Sequence, residues 1–267
     1  MATNTSKRTL FTIKHRKPKL HPNTASLSVD SPSKSTRKYI MTIEQLTLSI
    51  SLEKNNTYKN FYCHSPYMNE LIQQVKNEQT QVIILTGERS TGKTHLLQAA
   101  CHQTNRRWLY LNCESLERSD PKILEDLKNQ LICIDNIELM KGKKNWENAL
   151  FKLLLTNTNQ LRISSQLPNI QLERADLNSR LQSLLTLKVI QLTEQSQEQA
   201  LMFRSHNKGI PLSKELIKWM QKNLPRDNKF LFNFIDSLDT ESLKNKIKPS
   251  IALAKKILET HLTSQSH

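Results

Sequence analysis

Two of the four glycines in this 267-residue chain stand five apart and are followed by Lys-Thr, in Gly87-Glu88-Arg89-Ser90-Thr91-Gly92-Lys93-Thr94. Such a GxxxxGK[ST] run is a phosphate-binding loop when a strand enters it and a helix leaves it. Both flanks fit. Gln81-Val82-Ile83-Ile84-Leu85-Thr86 is a short apolar, β-branched run, and Thr94-His95-Leu96-Leu97-Gln98-Ala99-Ala100 is a good helix opening. Backbone N–H groups would wrap the phosphates, Lys93 would reach the terminal ones and the Thr94 hydroxyl would ligate Mg²⁺. Residues 87–94, with His95 behind them, are therefore the expected contacts of an ADP or ATP molecule. Leu131-Ile132-Cys133-Ile134-Asp135 answers this loop, 42 residues after Lys93. It is four apolar residues ending in an acid, the form of strand that holds the Mg²⁺-side carboxylate. Asn136 stands next, where many phosphate-loop ATPases place the carboxylate that activates water. An amide cannot take that proton, so little or no intrinsic hydrolysis is expected.

The elements that position these residues follow from periodicity. Met68, Leu71, Ile72 and Val75 keep the i, i+3, i+4, i+7 spacing of a helix ahead of the first strand. Further strands are expected at Trp108 to Leu111, Leu131 to Ile134, Leu161 to Ser164 and the alternating stretch Leu187 to Leu192. Trp146, Ala149, Leu150, Leu153 and Leu154 form an apolar stripe on a helix between two of them. This alternation predicts an α/β core with a parallel sheet flanked by helices. After Leu192 only helical periods continue, through Ala200 to Arg204, Leu216 to Leu224 with Ser213 as N-cap, Phe230 to Leu238 and Ile251 to Leu258. They predict a small C-terminal helical domain.

A chain with 37% hydrophobic residues has enough apolar surface for a core. No run of 18 apolar residues occurs, and no apolar signal core follows the basic N-terminus, which points to the cytoplasm. Four cysteines spaced 38, 12 and 20 residues apart, without CxxC, read as reduced, mostly buried thiols. Of the formal net charge of +15, residues 1–40 supply +8 through nine Lys/Arg and one acid. This Ser/Thr/Pro/Lys-rich tail reads as a disordered basic extension or an over-called start, with Met41 opening the structured part. The remaining positive charge suits work beside DNA or nucleotide phosphates.

About residues 44–259 resemble the DnaA-related AAA+ family, and within it the Hda-like branch that drives regulatory inactivation of DnaA. The resemblance rests on Gln45-Leu46-Thr47-Leu48, Thr57-Tyr58, Asn60-Phe61, Gly92 through Cys101 and Cys133-Ile134-Asp135-Asn136-Ile137-Glu138. It continues in Trp146-Glu147-Asn148-Ala149-Leu150-Phe151, Leu177-Asn178-Ser179-Arg180-Leu181 and Ala200-Leu201 with Arg204 and Gly209. It implies a P-loop AAA+ core over 57–194, a helical lid over 195–267 and a clamp-binding segment with linker over 41–56. It implies a homo-oligomer that attaches to the DNA-loaded sliding clamp, the beta subunit of DNA polymerase III, near the bacterial nucleoid. There it would stimulate hydrolysis of ATP held by DnaA and repress re-initiation of replication. Arg180 matches the family's arginine finger, which acts on a neighbouring subunit's nucleotide and supplies about 10³ to 10⁵ in rate in well-studied phosphoryl transfer. Taken alone, such an arginine reads as solvated or salt-bridged. Gln45, Leu46 and Leu48 match the clamp motif, although by itself this segment reads as an edge strand with alternating leucines.

The chain also departs from the family pattern. Lys229 stands where the lid usually carries a sensor arginine, which keeps the charge but loses the bidentate fork. Ser164-Ser165-Gln166-Leu167-Pro168 replaces a Ser/Gly-Asp-Arg-Pro turn, and Gln182-Ser183-Leu184 replaces a Trp-Gly beyond the finger. These departures bear on nucleotide sensing rather than nucleotide binding. The alternative reading is a DnaC-type helicase loader that binds single-stranded DNA. The initiator itself would need a sequence-specific DNA-binding domain of about 90 residues beyond the lid, which the chain is too short to hold.

Overall fold

The computed structural model describes residues 52–264, with 261–264 as backbone only. After a 3₁₀ turn at Tyr58–Asn60, the chain enters helix α1, Pro66–Lys76. Its start is set by Ser65, whose hydroxyl accepts from the Met68 N–H, and by Pro66 at the first position. The expected stripe of Met68, Leu71, Ile72 and Val75 is its buried face.

Strand β1 (Val82–Thr86) runs through the phosphate loop into α2 (Lys93–Gln103). Then follow β2 (Trp108–Asn112), β3 (Leu131–Asp135), α3 (Lys144–Thr156), β4 (Gln160–Ser165), α4 (Ala175–Gln182) and β5 (Leu185–Lys188). The five strands form one sheet in the order β2-β3-β4-β1-β5, with every neighbouring pair parallel. A parallel sheet must be covered on both faces, and alternation along each strand divides the core accordingly. Ile83, Leu85 and Cys133 pack against α1 and α2, whereas Ile84, Ile132 and Ile134 pack against α3 and α4. The α/β class expected from the alternating pattern is therefore observed.

One strand lies elsewhere than the alternation suggested. The segment expected to pair from Leu187 to Leu192 pairs only through Lys188, because β5 begins at Leu185. Val189 donates to the Thr86 carbonyl at 2.7 Å, and its own carbonyl then crosses above Gly87. Beyond it Ile190 and Leu192 line a cleft rather than a sheet face. Their alternation reflects that cleft wall.

Four helices close the chain: α5 (Glu194–Asn207), α6 (Lys214–Asn223), α7 (Asn228–Asn245) and α8 (Ile251–Ser264). Ser213 caps α6 as its position suggested, accepting from the Leu216 N–H at 3.2 Å. Leu201, Ile217, Met220, Leu231, Phe234 and Leu253 form a core separate from the two sheet cores. Cys101, Cys113 and Cys133 are buried and Cys63 is half-buried, all as free thiols. Among the described residues no helix is long and apolar enough to cross a membrane.

Candidate nucleotide-binding site

The loop between β1 and α2 is shaped by its two glycines. Gly87 has φ +149°, and a Cβ there would lie 2.5 Å from the Val189 carbonyl oxygen. Gly92 has φ +100°, and a Cβ there would lie 2.7 Å from the Phe61 ring. Both the backbone angle and the space thus require glycine. Lys93 is buried, and its ammonium donates to the Gly87 and Glu88 carbonyls, each at 2.7 Å. Burial lowers its pKa, with the charges of Asp135 and Glu138 acting in the opposite direction. A buried ammonium held by neutral carbonyls has an unmet demand for an anion, and a phosphate in the loop would meet it.

Asp135 ends β3 inside a shell of hydroxyls. Its Oδ2 accepts from Thr94 and from Tyr110, each at 2.7 Å, and its Oδ1 accepts from Ser164. The Thr94 hydroxyl and Asp135 carboxylate form the hard oxygen pair that suits a divalent cation beside the phosphates. Tyr110 and Ser164 were not identified as site residues from the sequence. Their only signal is a polar atom on a strand that neighbours β3 in a parallel sheet.

Asn136 adopts the left-handed region at φ +59°, and its N–H donates to the Ser164 hydroxyl at 2.9 Å. Asparagine and aspartate both tolerate this conformation better than glutamate does, so the backbone disfavours glutamate here without choosing between amide and aspartate.

The cleft above the loop encloses about 550 Å³. Arg89 through His95 form its floor, and Phe61, Ile190, Leu192 and Phe203 give it an apolar wall. Lys229, on the first turn of α7, lies on its rim. Burial drives His95 down to about 4, so its imidazole is neutral near pH 7. Its Nε2 lies 2.8 Å from the Thr57 carbonyl, which only accepts, so that nitrogen carries the proton. Two contacts fasten the lid helices to the loop. Ser90 donates to Asp227, which also caps α7 by accepting from the Phe230 N–H at 2.8 Å. Asn228 donates to the Ser90 carbonyl at 3.3 Å, and its own carbonyl accepts from Gln197 at 2.7 Å. Partial burial raises the Asp227 pKa, but the Ser90 hydroxyl, the Phe230 N–H and the Arg89 charge outweigh it and hold the carboxyl below its usual range.

Arg89 through His95 and Lys229 line one cleft, to which Gly87 and Glu88 are joined through Lys93 and Asp135 through Thr94 without lining it. Arg180 is not among the residues lining it. It sits near the end of α4, half-exposed, with no side-chain partner among the described residues. Gln45, Leu46 and Leu48 lie outside the described residues.

Residues 194–258 match the model of the Hda lid domain, and residues 79–195 match a model of an AAA domain. Domain III of the replication initiation protein DnaA from Thermotoga maritima superposes with a TM-score of 0.65 at 18% identity, covering 79% of this chain and 98% of that one. AMPPCP-bound DnaA from Aquifex aeolicus gives 0.56 at 18% identity, over 72% of this chain and 68% of its own. The Thermotoga maritima RuvB Holliday junction branch migration motor gives 0.56 at 12% identity, over 77% and 72%. The chain thus joins a segment that matches an AAA domain to one that matches the Hda lid domain, on a fold similar to that of DnaA domain III.

Proposed function

We propose that this chain is a nucleotide-bound regulator of the initiator DnaA. With the sliding clamp loaded on DNA, it stimulates hydrolysis of the ATP that DnaA holds and so represses re-initiation of chromosomal replication. Residues 41–56 dock on the clamp, 57–194 hold ADP or ATP with Mg²⁺, and 195–267 form the lid. The protein acts in the bacterial cytoplasm, at the nucleoid through the clamp.

The observation that carries this reading is the separation of two half-sites. The chain's own cleft has the loop, Lys93, Thr94 and Asp135 needed to hold a nucleotide, but Asn136 where a water-activating carboxylate is usual. Arg180 does not line that cleft and is half-exposed, with no side-chain partner among the described residues. A planar guanidinium presented on the surface suits γ-phosphate oxygens in a neighbour's site, where positioned charge accelerates phosphoryl transfer. The chain's own nucleotide then serves to hold core and lid in the arrangement that docks on DnaA.

The test is single-turnover hydrolysis of ATP pre-bound to DnaA, with the protein, its nucleotide and clamp on DNA each omitted in turn. The reading expects acceleration only when all three are present. Equal rates without the clamp would remove it from the account, and retention on single-stranded DNA with no effect on DnaA would favour a helicase-loader role.

A further inference from the structure

The segment Trp146-Glu147-Asn148-Ala149-Leu150-Phe151 on α3 carries no obvious chemistry, yet three of its side chains converge on the residues that lead into α4. Glu147 is a carboxylate only 2% exposed. Its Oε1 accepts from the Gly142 N–H at 3.0 Å and the Glu173 N–H at 3.3 Å, and its Oε2 accepts from the Arg174 N–H at 2.9 Å. Asn148 accepts from the Arg174 guanidinium at 2.6 Å, and the Phe151 ring lies under that guanidinium at 3.9 Å. Arg174 also grips Asp176 in the first turn of α4, at 2.6 and 2.8 Å. From the other side Asn178 exchanges two hydrogen bonds of 2.8 Å with the backbone N–H and carbonyl of Leu172.

These contacts decide where α4 points. A helix of eight residues has too few internal hydrogen bonds to keep its own direction, so the seating of its entry segment sets it. A carboxylate suits the task because both of its oxygens accept, whereas an amide presents one acceptor and one donor. A glutamine at 147 would turn an N–H₂ toward one of the three backbone N–H groups and leave it without an acceptor.

We infer that Glu147 and Asn178 are positioning residues for Arg180: they touch neither the chain's cleft nor a partner's nucleotide, but fix the direction in which α4 presents the guanidinium. The inference rests on the proposed role of Arg180 in trans. Misplacement of a transition-state charge by about 1 Å can cost about 10²-fold in rate while leaving binding intact.

The test uses the full chain with ATP-loaded DnaA and clamp on DNA, and compares the parent with Glu147→Gln, Asn178→Ala and Arg180→Ala. Saturating hydrolysis rate, half-saturating concentration, ADP affinity and melting temperature are read for each. The expected result is a fall of about 10- to 100-fold in saturating rate for Glu147→Gln and Asn178→Ala, with the other three quantities nearly unchanged. A second readout needs no DnaA: a nitroxide attached at Arg180→Cys in a Cys63→Ser background should be more mobile when Glu147→Gln is added. If Arg180→Ala abolishes stimulation but the other two variants keep full rate and the label keeps its mobility, the positioning role is overturned and the finger stands. If rate falls only in step with melting temperature and ADP affinity, Glu147 and Asn178 serve general stability and the inference is overturned. If Arg180→Ala stimulates as well as the parent, the finger reading falls and the positioning role falls with it.

Discussion

Replacing Lys93 by Ala should separate folding from nucleotide binding. In the parent the ammonium is buried and bonded only to the Gly87 and Glu88 carbonyls, so it bears a desolvation cost with no anionic partner. Its removal relieves that cost, and the carbonyl of exposed Glu88 is placed to take water instead. The melting temperature without nucleotide should therefore move by no more than about 3 °C, the equivalent of about 1 kcal/mol for a protein of this size. Binding should respond differently, because a charge-assisted hydrogen bond is worth about 1.5–3 kcal/mol, or roughly 10- to 150-fold in affinity. At Mg²⁺–ADP set to about 100 times the parent Kd, linkage stabilises the parent by about 2.7 kcal/mol, a rise of roughly 5–11 °C. At the same concentration Lys93→Ala retains about 0.3–1.3 kcal/mol, a rise of roughly 1–5 °C. Differential scanning fluorimetry with and without nucleotide, anchored by isothermal titration, provides the measurement. An undiminished ligand shift, or a collapse of the nucleotide-free melting temperature by about 10 °C, would refute the reasoning.

The other expectations are briefer. Because Asp227 titrates below its ordinary 3.8 in the folded protein, it contributes stability above that value and loses it as the pH falls through the lower folded pKa. Asp227→Asn, which keeps a capping oxygen, should show a shallower loss of melting temperature below about pH 4, and identical acid limbs would contradict this. Arg162 is 2% exposed and donates five hydrogen bonds to the Val75, Asn77, Thr80, Gln81 and Leu161 carbonyls without a carboxylate partner. Arg162→Met should cost about 3 kcal/mol, roughly 6–12 °C in melting temperature, and a change under about 2 °C would show that the carbonyls are solvated without it. Finally, the chain alone should hydrolyse ATP well below the 1–10³ s⁻¹ common among enzymes, as a malachite-green assay with Asn136→Asp and Lys93→Ala alongside would show.

Much of the nucleotide site was legible because its residues are local in sequence. The loop needs glycine at two fixed places, and in a chain with four glycines the pair at 87 and 92 stands out. Asp135 was legible because four apolar residues ahead of it mark a buried strand. The helix starts at Ser65 and Ser213 were available to capping rules, and only Ser213 was identified that way. Long-range placement was less accessible. Nothing near Arg162 indicates that four of its five carbonyl partners lie more than 80 residues away, so a charge in the middle of a strand reads locally as a weakness of that strand. Glu147 looks like an ordinary first-turn acid until residues 173 and 174 are seen beside it. Asn136 was read as a missing base, and the structure adds a left-handed backbone that disfavours glutamate there but would admit aspartate. The end of β5 was misplaced because Ile190 and Leu192 alternate toward a cleft, and periodicity does not distinguish that from a sheet.

The central claim is that Arg180 completes the active site of a partner. The most direct measurement is the single-turnover rate of ATP hydrolysis on DnaA with clamp on DNA, comparing parent, Arg180→Ala and Arg180→Lys at matched ADP occupancy. The account predicts that Ala loses about 10³-fold or more of the acceleration, and that Lys recovers little because a point charge lacks the planar fork. It also predicts that nucleotide affinity and clamp retention match the parent in both variants. An Arg180→Ala protein that accelerates hydrolysis as the parent does would contradict it.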